Sequence, residues 1–352
     1  MRRILNLAVG LGLLSVACSG DASRHITDVG PPPPPPFIPG PEFSTHPGGT
    51  AVDSIALSGQ PSGLDISSKD VAYVTQVSGN SVARFDLPSE LVTTTFSVGS
   101  DPTGVAFHPA GKAAWVTNQT HLQTNGTIGV IDALLNKQVR TRTPGGNTFQ
   151  VIVTPDGGSI YVSSNTTNAN VYAINAVTDS TIATLPLGGT LTNGFAFHPD
   201  GVRLYASQIS GGTIKVIDTR TNTFQTFSTP PGAGKLQGIV VSKDGNELYV
   251  ADETAKVLRF ISVSTGSQLA VDSLGGGGFG VGLTPDNVQV WVSLALGGTG
   301  CTSGGCVKVI DRVSRTIVNT IQTHGSPRRI AFNAAGTIGV ITNESGYVDF
   351  VK

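Results

Sequence analysis

The chain of 352 residues has little charge, few cysteines and few aromatic rings, and each shortage excludes something. Charged residues make up 13% of it, about half the ~25% usual in soluble domains. Its 22 basic and 23 acidic residues leave a net charge of −1, so no global field draws in DNA, RNA or an acidic substrate. Aromatic residues make up 6%, too few for a base-stacking platform, and no nucleic-acid partner is expected. Its three cysteines, Cys18, Cys301 and Cys306, form no Cys-x-x-Cys-His haem signature. A Gly-x-Ser-x-Gly elbow and a His-Glu-x-x-His pair are missing too, and the glycine run at 275 to 278 lacks the strand, lysine and helix that phosphate binding needs. No catalytic set, metal site or cofactor is expected.

What is plentiful is glycine, 45 residues, which suits short strands joined by tight turns. Arg2 and Arg3 precede a ten-residue apolar stretch, residues 5 to 14, interrupted by Asn6 alone. That is too short to span a bilayer, where ~20 apolar residues are needed, and it reads as a secretion signal. Its end, Leu14-Ser15-Val16-Ala17-Cys18, resembles a bacterial lipobox, with Ser15 in place of the usual leucine. The resemblance implies lipid attachment at Cys18 and removal of residues 1 to 17. Ser19 after the cysteine resembles an outer-membrane sorting signal, which places the chain in the bacterial cell envelope, periplasmic or surface-exposed. Residues 18 to 48 contain six consecutive prolines at 31 to 36, then Pro39, Pro41 and Pro47. Such a run favours polyproline II at about 3.1 Å per residue, a semi-rigid tether.

Residues 49 to 352 repeat one pattern: an apolar strand, a Pro-Asp-Gly type turn, an aromatic or branched strand, a polar loop, and two further strands. Anchored at the start of the first strand, the copies begin at Gly63, Gly104, Gln150, Gly194, Gly238, Gly280 and Arg329, at intervals of 41, 46, 44, 44, 42 and 49 residues. Four short strands per ~40 to 45 residues is the spacing of β-propeller blades. The fold class expected is therefore all-β, a seven-bladed propeller of four-stranded antiparallel blades. The second strands include Ala72-Tyr73-Val74-Thr75, Trp115-Val116-Thr117-Asn118, Tyr161-Val162-Ser163-Ser164, Tyr249-Val250-Ala251-Asp252 and Val340-Ile341-Thr342-Asn343. They resemble the YVTN repeat of YncE-like seven-bladed propellers, which are exported or cell-surface proteins. The final Asn of the motif occurs at Asn118 and Asn343, so a general role for that side chain is not expected. The seventh copy shows three strands, and residues 49 to 59 align with the fourth strand of the sixth copy. An N-terminal strand is therefore expected to complete the last blade and cover its open edge.

Several conspicuous residues have structural explanations. His108-Pro109 and His198-Pro199 occupy turns where other copies carry Thr154-Pro155-Asp156-Gly157 or Thr284-Pro285-Asp286-Asn287, and are expected to be turn residues. Asp86, Asp132, Asn175, Asp218 and Asp311 recur at the end of the third strand, as Asx turns require. Cys301 and Cys306 close a glycine-rich insertion in the sixth copy, residues 296 to 306, and read as a disulfide rather than as half of a zinc site.

In a propeller, the loops between blades and those joining second to third strands share the face around the central channel. The chemically capable residues expected there are Asn118, His121, Gln150, Asn165, Lys235, Asp252, Glu253, Arg328, Arg329 and Glu344, together with Asp101. Adjacent Arg328 and Arg329 are the local cationic feature, and guanidinium groups suit carboxylate or phosphate recognition. The leading expectation is a monomeric, membrane-anchored binding or interaction scaffold that takes an envelope protein, a glycan or a small ligand on this face. The alternatives are a hydrolase resembling propeller lactonases, possibly metal-assisted, and a quinone- or metal-dependent redox propeller.

Overall fold

The computed structural model describes residues 47–49, 52–120, 125–166, 168–302 and 304–352. These form seven four-stranded antiparallel sheets, with no helix among the described residues. The first strands of the blades are Pro61–Ile66, Pro102–Phe107, Thr148–Val153, Thr192–Phe197, Leu236–Val241, Val281–Leu283 and Pro327–Phe332. Each packs beside the first strand of the next blade, and the seventh returns to the first, so the ring is closed around a central channel. Closure occurs as the alignment of copies requires. Val52–Ala56 pairs antiparallel with Tyr347–Val351, from Val52 opposite Val351 to Ala56 opposite Tyr347. Ile55 and Leu57 pack there against a core containing Val348 and Phe350.

The sequence pattern explains the layering. Second and third strands are almost continuously apolar, and their rings and branched chains, among them Tyr73, Trp115, Tyr161, Tyr205, Tyr249 and Trp291, are buried between sheets. Fourth strands such as Lys137–Arg142 face solvent.

The blades are joined at the channel wall by a recurring hydroxyl. Thr75, Thr117, Ser163, Ser293 and Thr342 each accept the N–H of the anchor residue in their own blade at 2.7–3.1 Å. The same hydroxyls of Thr117, Ser293 and Thr342 donate to the next blade, at the carbonyls of Phe149, Arg328 and Ser62 (2.6, 2.8 and 2.7 Å). Ser207 does so to Gln237. The fifth blade has Ala251 at this place, and there the anchor N–H of Gly238 reaches the Phe279 carbonyl directly, at 2.7 Å. Glycine at the anchor has a steric cause: a Cβ on Gly104, Gly194 or Gly238 would lie 2.7–2.9 Å from the carbonyl oxygen of the following blade. Gln150 and Arg329 are the two anchors that carry side chains, and these point into the channel.

The opposite face is built of turns. His198 accepts the Asp200 N–H at Nδ1 (3.0 Å) and sets Nε2 3.1 Å from the carbonyl of Gly245, the turn glycine of the next blade at φ +74°. His108 repeats the first bond with Ala110. These histidines bracket neighbouring turns, as their position in the repeat suggests. Asp132 accepts the N–H groups of Leu134 and Leu135, Asn175 those of Val177 and Thr178, and Asp311 those of Val313 and Ser314. The Asx turns are therefore present. Cys301 and Cys306 are disulfide-bonded, with Cα atoms 5.3 Å apart. The lipobox-like segment with Cys18, the proline run at 31 to 36 and His121 lie outside the described residues.

Candidate functional site

The channel mouth on the loop face centres on Arg329, the anchor of the seventh blade. Its Nη2 crosses the channel to the fourth blade, donating to Asn193 at the side-chain oxygen (3.0 Å) and the carbonyl (3.3 Å). A polar chain continues from there: the Asn193 amide donates to Gln237, and the Gln237 amide to Glu253. Lys235 Nζ stands 4.0 Å from the Glu253 carboxylate at the rim. Asn193 and Gln237 are buried, so each amide is fixed by its neighbours and cannot turn to water.

On the near side, Arg328 pairs with Glu344 at 2.6 Å. Both guanidinium groups lie over the ring of Phe279, 4.4 Å away for Arg328 and 5.4 Å for Arg329, an arrangement that favours cations. Burial and the neighbouring Arg328 charge push the Arg329 pKa down to about 10, which leaves it charged at neutral pH. The carboxylate that acts on it, Glu344, is already bonded to Arg328. Among the described residues no carboxylate reaches ion-pair distance of Arg329, and its Nε and Nη1 make no hydrogen bond. Beside the guanidinium lies a cavity of about 180 Å³, walled by Gln150, Asn193, Phe195, Ile239, Val240 and Ile330.

The expected site residues therefore divide. Arg329 and Gln150 line the cavity, while Arg328, Glu344, Lys235 and Glu253 form its rim. Asn165 is exposed on the loop face, apart from this cluster. Asp101 lies in the loop entering the second blade, in left-handed conformation, with its N–H on Asn80.

Asn118 and Asp252 are placed differently from expectation: both are fully buried. They end second strands and lie beneath the preceding interblade loop. Asn118 packs under Gly99 and donates to Thr127. Asp252 accepts the N–H groups of Gly234 and Ala255 and pairs with buried Arg259 at 2.9 Å. The same position is buried in the other blades, where Gln208 holds the carbonyl of Gly188 and Asn343 the N–H of Ser326. In the fourth, fifth and seventh blades this side chain bonds the backbone of the loop between blades, whereas Gln76, Asn118 and Ser164 bond neighbouring side chains and the sixth blade has Leu294, so no single hydrogen-bonding role is general to the place.

Asn193, Gln237 and Phe279 are the members that a reading of the loops leaves out. All three immediately precede a glycine anchor, a place that the repeat itself marks. The glycine run at 275 to 278 packs under the insertion of the sixth blade, where a Cβ on Gly276 would meet the backbone of Gly297 and Gly298. Among the described residues no three His, Cys, Asp or Glu side chains converge as metal ligands.

No family model and no curated protein matches the chain. Among solved structures, a chain of Kuenenia stuttgartiensis hydrazine synthase is similar, with a TM-score of 0.72 over 84% of this chain and 96% of that one, at 16% identity. A likeness at that identity shows the seven-bladed propeller fold alone.

Proposed function

We propose that the chain is an exported propeller of the YVTN, YncE-like type that binds through its channel mouth and catalyses nothing. In this reading a lipid on Cys18 anchors it in the cell envelope, most simply at the outer membrane, and residues 18 to 48 hold the ring off the surface as a monomer. The observation that carries the reading is the convergence of polar groups from three blades on one mouth: Arg329, Asn193, Gln237 and Glu253 in one chain of bonds, beside the Arg328–Glu344 pair. A largely apolar cavity with a few convergent polar groups, one of them charged, is the usual form of a small-molecule binding site. The lipobox-like Cys18, the proline tether and the YVTN-like second strands support the address.

The test is site-specific photo-cross-linking in envelope preparations. A photoreactive residue at Asn165 or Lys235 on the loop face should give discrete adducts with an envelope protein, glycan or small ligand. The same residue at Val177 or Val313, exposed on the turn face, should give none. Adducts from the turn face with none from the mouth would refute the assignment.

A further inference from the structure

The cavity at Arg329 is the upper part of a longer passage. A second chamber of about 550 Å³ shares Phe195, Ile239, Val240, Val281 and Ile330 with it and opens towards the turn face. The two sections differ in chemistry. The upper one holds a guanidinium with Nε and Nη1 uncommitted, and the Gln150 amide. The lower one is walled chiefly by aliphatic and aromatic groups, with Leu283 and Phe332 added to the shared residues. Local charge balance sets the valence of a ligand: Arg328 is cancelled by Glu344 and Lys235 stands opposite Glu253, so Arg329 carries the one positive charge left for a guest in the upper section, while Lys243, in the wall of the lower chamber, donates to the Pro285 carbonyl and faces the charge of Asp286. That single charge matches a monoanion better than a dianionic phosphate. With Nη2 held by Asn193, a carboxylate oxygen takes a single charge-assisted hydrogen bond from Nη1 or Nε.

From this arrangement we infer that the central channel is a binding site for a small organic monocarboxylate with an apolar tail. The carboxylate sits on Arg329 and the tail lies in the lower chamber. The inference rests on the reading of the channel mouth as the binding face and names its ligand class.

The experiment is titration calorimetry of the full chain with acetate, butyrate, hexanoate and octanoate, with hexanol and inorganic phosphate as comparison probes. Affinity should rise about fourfold per added methylene while the chamber fills, the effect of burying one such group. Hexanol and phosphate should bind at least tenfold more weakly than hexanoate. Arg329→Gln should weaken hexanoate at least tenfold. Leu283→Trp, in the wall of the lower chamber alone, should abolish the gain from butyrate to octanoate while acetate is unchanged. Acetate and octanoate binding equally, phosphate matching hexanoate, or Arg329→Gln binding as the parent does would overturn the inference. Cross-linking at the mouth without carboxylate binding overturns this inference and leaves the scaffold reading intact. Carboxylate binding with cross-links confined to the turn face supports the inference and refutes that reading.

Discussion

Removing Arg259 should damage this protein more than removing any surface cation, because of what it leaves behind. Asp252 is fully buried, and the Arg259 side chain is 3% exposed. The carboxylate receives Nε and Nη2 of Arg259 at 3.0 and 2.9 Å. The remaining guanidinium donors go to the carbonyls of Pro231 and Gly232 and to Gln268. Arg259→Met therefore strands a buried carboxylate and several carbonyls of the interblade loop. Breaking a buried pair from one side costs about 3–5 kcal/mol, which at roughly 2 °C per kcal/mol in a chain of this size lowers the melting midpoint by about 6–10 °C. The control is Arg220→Met, which breaks the 2.7 Å pair with Asp218 at side-chain exposures of 41% and 31%; an exposed pair of this kind contributes little to stability. Adding Asp252→Asn to Arg259→Met removes the stranded charge while keeping an acceptor for the loop N–H groups. The double variant should therefore melt above the single one. A midpoint for Arg259→Met equal to that of Arg220→Met, or a double variant that simply sums the losses, would refute the reasoning.

Three further predictions follow from other parts of the ring. Deleting residues 52 to 56 exposes the edge of Tyr347–Val351, so the melting midpoint should fall and concentration-dependent association should appear by light scattering; an unchanged midpoint would contradict the closure. Reducing the Cys301–Cys306 disulfide, which closes a loop of about six residues, should cost about 2 kcal/mol by loop-closure entropy, read as a small fall in the midpoint under reductant that Cys301→Ser/Cys306→Ser no longer shows. Burial pushes the Asp65 carboxyl up to about 6, despite the N–H groups of Phe107 and Ile66 that it accepts. The folded state therefore holds this proton more tightly than the unfolded chain. Stability from Asp65 is present below pH ~4 and lost as pH rises through about 6, with a slope of at most ~1.4 kcal/mol per pH unit. Asp65→Asn should flatten the melting profile between pH 4 and 6, and an unchanged profile would contradict the assignment.

The ring was legible because each blade repeats the same few constraints. A glycine anchor, a hydroxyl in the second strand and an Asx turn each recur for a stated reason, so seven copies could be aligned and the missing fourth strand of the seventh blade located in residues 49 to 59. The mouth was legible in part. Arg328, Arg329, Gln150, Lys235, Glu253 and Glu344 were accessible to sequence because they occupy anchor or loop positions. Asn193 and Gln237 were not, because the first strands do not keep a simple alternation. The pairing slips between Thr192 and Gly194, and between Leu236 and Ile239. Similar slips occur near Pro61, Pro102, Thr148 and Pro327. A bulge re-aims the side chain beside it, so period two cannot say which residue faces the channel. Asn118 and Asp252 failed for a related reason: the end of a second strand lies at the mouth, but its side chain turns beneath the interblade loop, where Asn118 packs under Gly99 and bonds Thr127 and Asp252 holds loop N–H groups and Arg259.

The central claim is that ligand meets this molecule at the channel mouth, and arginine labelling tests it most directly. The full chain is treated with an arginine-specific dicarbonyl reagent, with and without envelope extract or hexanoate, and each site is quantified by mass spectrometry. The account predicts protection of Arg328 and Arg329 with no change at Arg84, Arg140 or Arg220 on the outer strands and turns. Protection confined to those outer arginines, or none at the mouth with any ligand source, would contradict it.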